Sequence, residues 1–140
     1  MRVVFGTDED TGVTSAVIDH LMAGGHDVIR ATTEEWPEVG RAVGRAVATG
    51  AAERGVVCCW TGTGVSIAAN KVAGVRAALC TDAETARGAR RWNDANVVAL
   101  GLRLTSVEVA REVVDAFLTT DPEPAQAGTV GRVEAPADAG

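Results

Sequence analysis

Two periods of apolar patterning alternate along residues 1–118. Short runs of Val, Ile, Leu and Ala are separated by stretches whose apolar residues recur every three or four positions. The first pattern is that of a buried strand, the second that of an amphipathic helix. Arg2–Phe5 reads as a strand, Val13–Ala23 as a helix closed by Gly24-Gly25, and Asp27–Arg30 as a second strand. Pro37 suits the first turn of a helix, whose Val39, Val43, Ala46 and Val47 form one apolar face to about Gly50. Gly55–Cys59 is a third strand and leads through glycines into a helix that runs to Asn70. A strand over Val75–Leu79, a helix over Ala83–Trp92 and a strand over Asn96–Leu100 follow. A last helix starts near Ser106. Thr105 and Glu108 stand at capping-box spacing, and Ala110, Val113, Val114, Phe117 and Leu118 line its buried face.

Strands alternating with helices predict an α/β chain. The expected architecture is a three-layer α/β/α sandwich of Rossmann-like type, with a parallel sheet and right-handed crossovers. Such sheets bind ligands at the carboxyl ends of their strands. The segments to search are therefore Thr7–Gly12, Trp60–Ser66, Thr81–Asp82 and Gly101–Arg103. From Thr119 the composition turns to Pro, Ala, Gly and Glu, which cannot build a core. Residues 119–140 are expected to form a flexible tail or an arm lying on a partner.

Composition narrows the function classes. At 140 residues the chain suffices for one domain with a real core. A net charge of −6 argues against nucleic acid and anionic membrane as partners, and the twelve arginines are scattered. No apolar run approaches a membrane span, and the N-terminus lacks a signal pattern. The 3 cysteines cannot all pair, and adjacent ones rarely bridge. No second Cys/His pair stands at zinc spacing, so reduced thiols in the cytoplasm, with no metal, is the economical reading.

Two loops offer chemistry. Cys59 ends the third strand, and the amides of Thr61–Ser66 lead into a helix N-terminus. Such a terminus favours a thiolate and holds anions, so a nucleophile or base and an oxyanion site would be neighbours. Both cysteines could equally be small core hydrophobes, and Cys58, inside the strand, is read that way. TGTGVS, residues 61–66, is neither a dinucleotide fingerprint, lacking the third glycine, nor a phosphate loop, lacking its lysine. TDEDTG, residues 7–12, sets three acids after the first strand. It resembles a magnesium-binding Asp-x-Asp motif, but Gly12 stands where Thr or Val is wanted. A solvated acidic loop capping the next helix is the alternative. His20 and His26 read as ordinary surface residues, and Trp92 as packing.

Taken together, CWTGTGVSIAANKVAGVRAALCTDAETARGARRWNDANVVALGLR resembles the type-B ribose-5-phosphate isomerase family, which includes the galactose-6-phosphate isomerase subunits. The shared marks are a Cys-Gly-Thr-Gly-x-Gly-x-Ser loop, Ala-Asn-Lys, Arg-Ala-Ala-Leu-Cys, His-Asn-Asp-Ala-Asn and Gly-x-Arg, in that order. The register holds without a gap from Gly55 to Arg103. The resemblance implies an aldose–ketose isomerase that moves a proton between C1 and C2 through a cis-enediolate, without cofactor or metal. It implies Cys59 as the base, with Thr61, Asp8 and Asn93 assisting. Gly62, Thr63, Gly64 and Ser66 would hold the oxyanion. It further implies a five-stranded sheet and a homodimer, possibly a dimer of dimers, with sites built from both subunits.

The departures from that family's pattern bear on substrate. Ser-Asp-His near the N-terminus is here Thr7-Asp8-Glu9, so a histidine on the phosphate side becomes Glu9. Trp92 replaces the ring-opening histidine, while Asn93 remains. Trp60 replaces the first loop glycine, narrowing the space beside the base. Trp36-Pro37 stands for Tyr-Pro ahead of the second helix. Arg103 survives, and Arg132 matches the second of two phosphate-binding arginines, with Gly128 at the first. The expected substrate is thus a sugar other than ribose 5-phosphate, unphosphorylated or with its anionic group placed differently. Standard phosphopentose isomerisation and a non-catalytic sugar-binding homologue are the alternatives.

Overall fold

A computed structural model describes residues 1–32 and 34–134 of the chain. Five strands, β1 (Arg2–Thr7), β2 (Asp27–Arg30), β3 (Arg54–Cys59), β4 (Ala77–Leu79) and β5 (Val97–Gly101), form one parallel sheet in the order β2-β1-β3-β5-β4. Helices α1 (Gly12–Ala23), α4 (Ala83–Asn93) and α5 (Val107–Thr119) cover one face. Helices α2 (Trp36–Ala48) and α3 (Thr63–Asn70) cover the other. This is the expected three-layer sandwich. Two apolar clusters follow from the alternation of side chains along each strand. Val3, Phe5, Val56, Cys58, Val98 and Leu100 face α1, α4 and α5, whereas Val4, Val57, Cys59, Val97 and Ala99 face α2 and α3.

Small residues let the layers meet closely. A Cβ at Gly40 would stand 2.6 Å from Ala68 Cβ, and one at Gly44 would stand 3.0 Å from Val72 Cγ2, so α2 lies directly against α3. Arg90 is buried at the end of α4. Its guanidinium donates to the Thr120 carbonyl at 3.0 Å, the Ala95 carbonyl at 2.6 Å and Asp94 Oδ1 at 2.9 Å. It also lies 5.9 Å from the Phe117 ring centroid, fastening α4, α5 and the entry to β5 together.

Several boundaries differ from those expected. The last helix is capped by Ser106, whose side chain accepts from the Val109 amide; Thr105 is buried instead. β1 runs on to Thr7, because it keeps pairing with β3 as far as Cys58. β4 starts at Ala77 rather than Val75: the Asn70 carboxamide donates to the Ala77 carbonyl and accepts from its amide, at 3.0 and 2.8 Å. Beyond α5 the chain forms a 3₁₀ turn at Pro124–Gln126, the short α6 (Ala127–Gly131) and a second 3₁₀ turn at Arg132–Glu134. None of these residues is buried, but the Glu123 amide donates to the Arg91 carbonyl and Glu134 accepts from the Gly74 amide, holding the segment between α4 and the turn ahead of β4 of its own chain. Residues 135–140 of the predicted tail lie outside the described residues.

Candidate active site

The sheet order creates a switch point. β1 leads into α1 on one face, and its neighbour β3 leads into α3 on the other, so their carboxyl ends diverge and leave a crevice. Cys59 stands at that point. It is 5% exposed, on the α2/α3 side, and pairs in register with Gly101 of β5. The chain then stays fastened to β5's extension: the Leu102 amide donates to the Cys59 carbonyl at 3.0 Å, and Arg103's to the Trp60 carbonyl at 2.8 Å.

Gly62 makes the turn into α3. It adopts φ +75°, in the left-handed region that glycine enters without steric cost. A Cβ there would stand 2.8 Å from the Gly101 amide nitrogen, and a Cβ on Gly101 would stand 2.7 Å from the Thr61 carbonyl oxygen. The two glycines are thus mutually required. Gly62 is also the N-cap of α3 and offers no side chain to it. The amides of Thr63, Gly64 and Val65 accordingly have no helical acceptor and present a positive end beside Cys59. Thr61 and Thr63 share a hydroxyl–hydroxyl hydrogen bond of 2.7 Å at the rim; Ser66 follows on the first turn, half-buried, and its amide donates to the Gly62 carbonyl at 3.3 Å, so Val65 rather than Ser66 supplies the third open amide.

The acidic loop lies across the crevice. Thr7, buried, donates its hydroxyl to the Glu9 carbonyl at 2.8 Å and accepts from the Glu9 amide at 3.2 Å, fixing the loop backbone. Thr11 and Thr14 cap α1 in a reciprocal box, so the three acids take no part in capping. Asp10 pairs with Arg30 at 3.9 Å, while Asp8 and Glu9 make no side-chain hydrogen bond or ion pair among the described residues. Burial pushes the Cys58 thiol well above its ordinary range, with Cys59 and then Asp8 adding to the effect. Cys58 therefore stays a thiol in the core.

Not every predicted site residue comes to this crevice. Asp8, Glu9, Cys59, Trp60, Thr61, Gly62, Thr63, Gly64, Ser66 and Arg103 cluster at the carboxyl edge of the sheet. Trp92 and Asn93 end α4 and precede β5, so they lie at the amino edge, and Arg132 lies with the chain's final turn beside Glu134, near Gly74. The five residues of β5 separate the edges by roughly 15 Å. Trp92 packs back over its own helix, where a Cβ on Gly88 would stand 2.8 Å from the indole. One residue at the crevice stood in the sequence only as a departure from a pattern. Trp36 lies over Gly64, where a Cβ would be 2.8 Å from its Cδ2. Its place ahead of Pro37 was legible, but the helix pairing that brings it to the loop was not. Among the described residues no group of three or more His, Cys, Asp or Glu is arranged to hold a metal, and no helix is long and apolar enough to cross a membrane.

A family model described as Ribose/Galactose Isomerase matches residues 3–135. The chain is 37% identical over 123 residues to ribose-5-phosphate isomerase B of Escherichia coli, covering 84% of this chain and 83% of that one. It is 40% identical over 113 residues to galactose-6-phosphate isomerase subunit LacB of Clostridium acetobutylicum, covering 77% of this chain and 65% of that subunit. Among solved structures, ribose-5-phosphate isomerase B of Clostridium thermocellum superposes with a TM-score of 0.90 at 37% identity, covering 96% of this chain and 95% of the other.

Proposed function

The chain belongs to the ribose/galactose isomerase family, and from that premise we propose a cofactor-independent aldose–ketose isomerase whose sites are completed by a second copy of the chain. The observation that carries the chemistry is Cys59 at the switch point, next to the open amides of α3. Cys59 removes the proton at C2 of the aldose. The electron pair left behind forms the C1–C2 double bond, and the carbonyl electrons move onto O1. The amides of Thr63, Gly64 and Val65 face the resulting cis-enediolate, and one preorganised donor of this kind is worth about 3–4 kcal/mol. The proton returns at C1 while the C2 hydroxyl loses its own, giving the ketose. Thr61, hydrogen-bonded to Thr63, carries protons between the two oxygens. Asp8 holds sugar hydroxyls and serves as acid–base for ring opening.

The opposite placement of Asn93, Trp92 and Arg132 supports the dimer. One chain cannot bring them to its own Cys59, whereas a second copy presenting its amino edge can. Subunit complementation tests this. Cys59→Ala and Asn93→Ala should each be inactive alone, and mixed refolding should recover about a quarter of wild-type activity, since half of the dimers then carry one intact site. No recovery contradicts the shared site.

The substrate is a sugar other than ribose 5-phosphate. Glu9 is the ground: a carboxylate about 4 Å from a phosphate costs about 4 kcal/mol per charge pair near a surface. Its backbone is pinned by Thr7, so only rotation of the exposed side chain itself can take the charge away from a phosphate. A second reading keeps the phosphopentose, because Arg103 and Arg132 are exposed and without ion-pair partners among the described residues. Inorganic phosphate competing at micromolar concentration would favour that reading.

A further inference from the structure

All three tryptophans of this chain are exposed, Trp36 by 42%, Trp60 by 53% and Trp92 by 54%, whereas both phenylalanines are fully buried. Tryptophan is among the most buried side chains on average, so an exposed indole that no core needs calls for another role. Two of the three flank the active-site loop. Trp60 follows Cys59 directly, its backbone held by the Arg103 amide at 2.8 Å, and its side chain joins neither apolar cluster. Trp36 lies over Gly64 at the loop's far end. The oxyanion loop thus carries an exposed indole at each end, and the neighbouring β1 loop carries two carboxylates, Asp8 and Glu9, that are unpaired among the described residues.

We infer that Trp60 is a specificity-determining residue, an aromatic platform on which the C–H face of an uncharged sugar ring stacks; this rests on the isomerase reading above. The chemistry is complementary. A pyranose offers an apolar C–H face to an indole and hydroxyl donors to carboxylates, and neither partner suits a phosphate dianion. Aromatic stacking secures the ring without a phosphate handle, leaving Asp8 to take the ring hydroxyls.

The test compares wild type with Trp60→Gly and Trp60→Phe on free pentoses, free hexoses and their phosphates, scored as KM and kcat. With free sugars, Trp60→Gly should raise KM roughly tenfold or more with kcat within about threefold, and Trp60→Phe should recover most of the loss. An unchanged KM in Trp60→Gly overturns the platform while leaving the isomerase intact. So does a gain of phosphorylated substrates at no cost to free ones, which would make Trp60 a steric filter. Wild-type turnover of phosphorylated sugars alone overturns the unphosphorylated substrate itself, and the platform with it.

Discussion

Replacing Gly62 by alanine separates a loop that is merely flexible from one locked in place. The new Cβ would stand 2.6 Å from Leu79 Cδ1, 2.8 Å from the Gly101 nitrogen and 2.9 Å from the Leu100 carbonyl carbon. The leucine methyl can swing aside. The other two atoms are backbone of β5, an interior strand paired on both sides, and cannot. A left-handed alanine costs about 1–2 kcal/mol, and overpacking against fixed atoms about 1–3 kcal/mol more. The expected loss of about 2–5 kcal/mol is a large part of the 5–15 kcal/mol typical of a domain. Any relief must lift the loop off β5, which carries the amides of Thr63–Val65 away from Cys59, so turnover should fall as well. Gly64→Ala is the comparison. Its φ is not positive, and its clash is with the exposed Trp36 indole, which can move. That variant should lose less than about 1.5 kcal/mol. Urea unfolding at fixed protein concentration measures both. Equal losses, or a Gly62→Ala variant within about 0.5 kcal/mol of wild type, would refute the interlock.

Two further predictions concern buried groups away from the crevice. Burial, with Asp82 adding to it, raises the Cys80 thiol from 9.0 to about 11, so the folded chain holds that proton more tightly than the unfolded one. The Cys80 contribution should then be constant below pH 9 and fall as pH rises toward 11, and the buried Cys58 thiol adds a fall over the same range; Cys80→Ala should remove about half of this slope, and an unchanged slope would remove Cys80 as one of its sources. Arg90→Met deletes three hydrogen bonds and leaves the Thr120 and Ala95 carbonyls unmet, for an expected loss of about 3–5 kcal/mol by chemical denaturation; a loss below about 1 kcal/mol would mean that water replaces the guanidinium at no cost.

Much of the fold was legible because strands and helices here obey their own periods. Val56 and Val57 alternate faces, as do Cys58 and Cys59, and the amphipathic face of α5 is the one expected. What periodicity could not supply was tertiary. The placement of β5 between β3 and β4 follows from which helix covers which face, not from any local pattern. The late start of β4 comes from Asn70, distant in sequence, which bonds Ala77 as a strand would. Thr105 and Ser106 are both competent caps, and burial of Thr105 decides between them. At the candidate site, the turn at Gly62 and the open helix end after Cys59 were legible from glycine spacing, whereas a role for Cys59 as base came only from the family resemblance. The division of the candidate residues between the two edges was not legible, because it depends on α4 running back across the sheet before Asn93.

Cys59 is assigned the movement of a proton between two sugar carbons. Proton NMR in deuterium oxide measures this directly, using wild type and Cys59→Ala with a panel of pentoses, hexoses and their phosphates. Wild type should place deuterium at C1 or C2 of at least one sugar in the panel. Cys59→Ala, still folded, should place none. Exchange that survives in Cys59→Ala would remove Cys59 as the base, and exchange absent from wild type across the whole panel would contradict isomerase chemistry at this site.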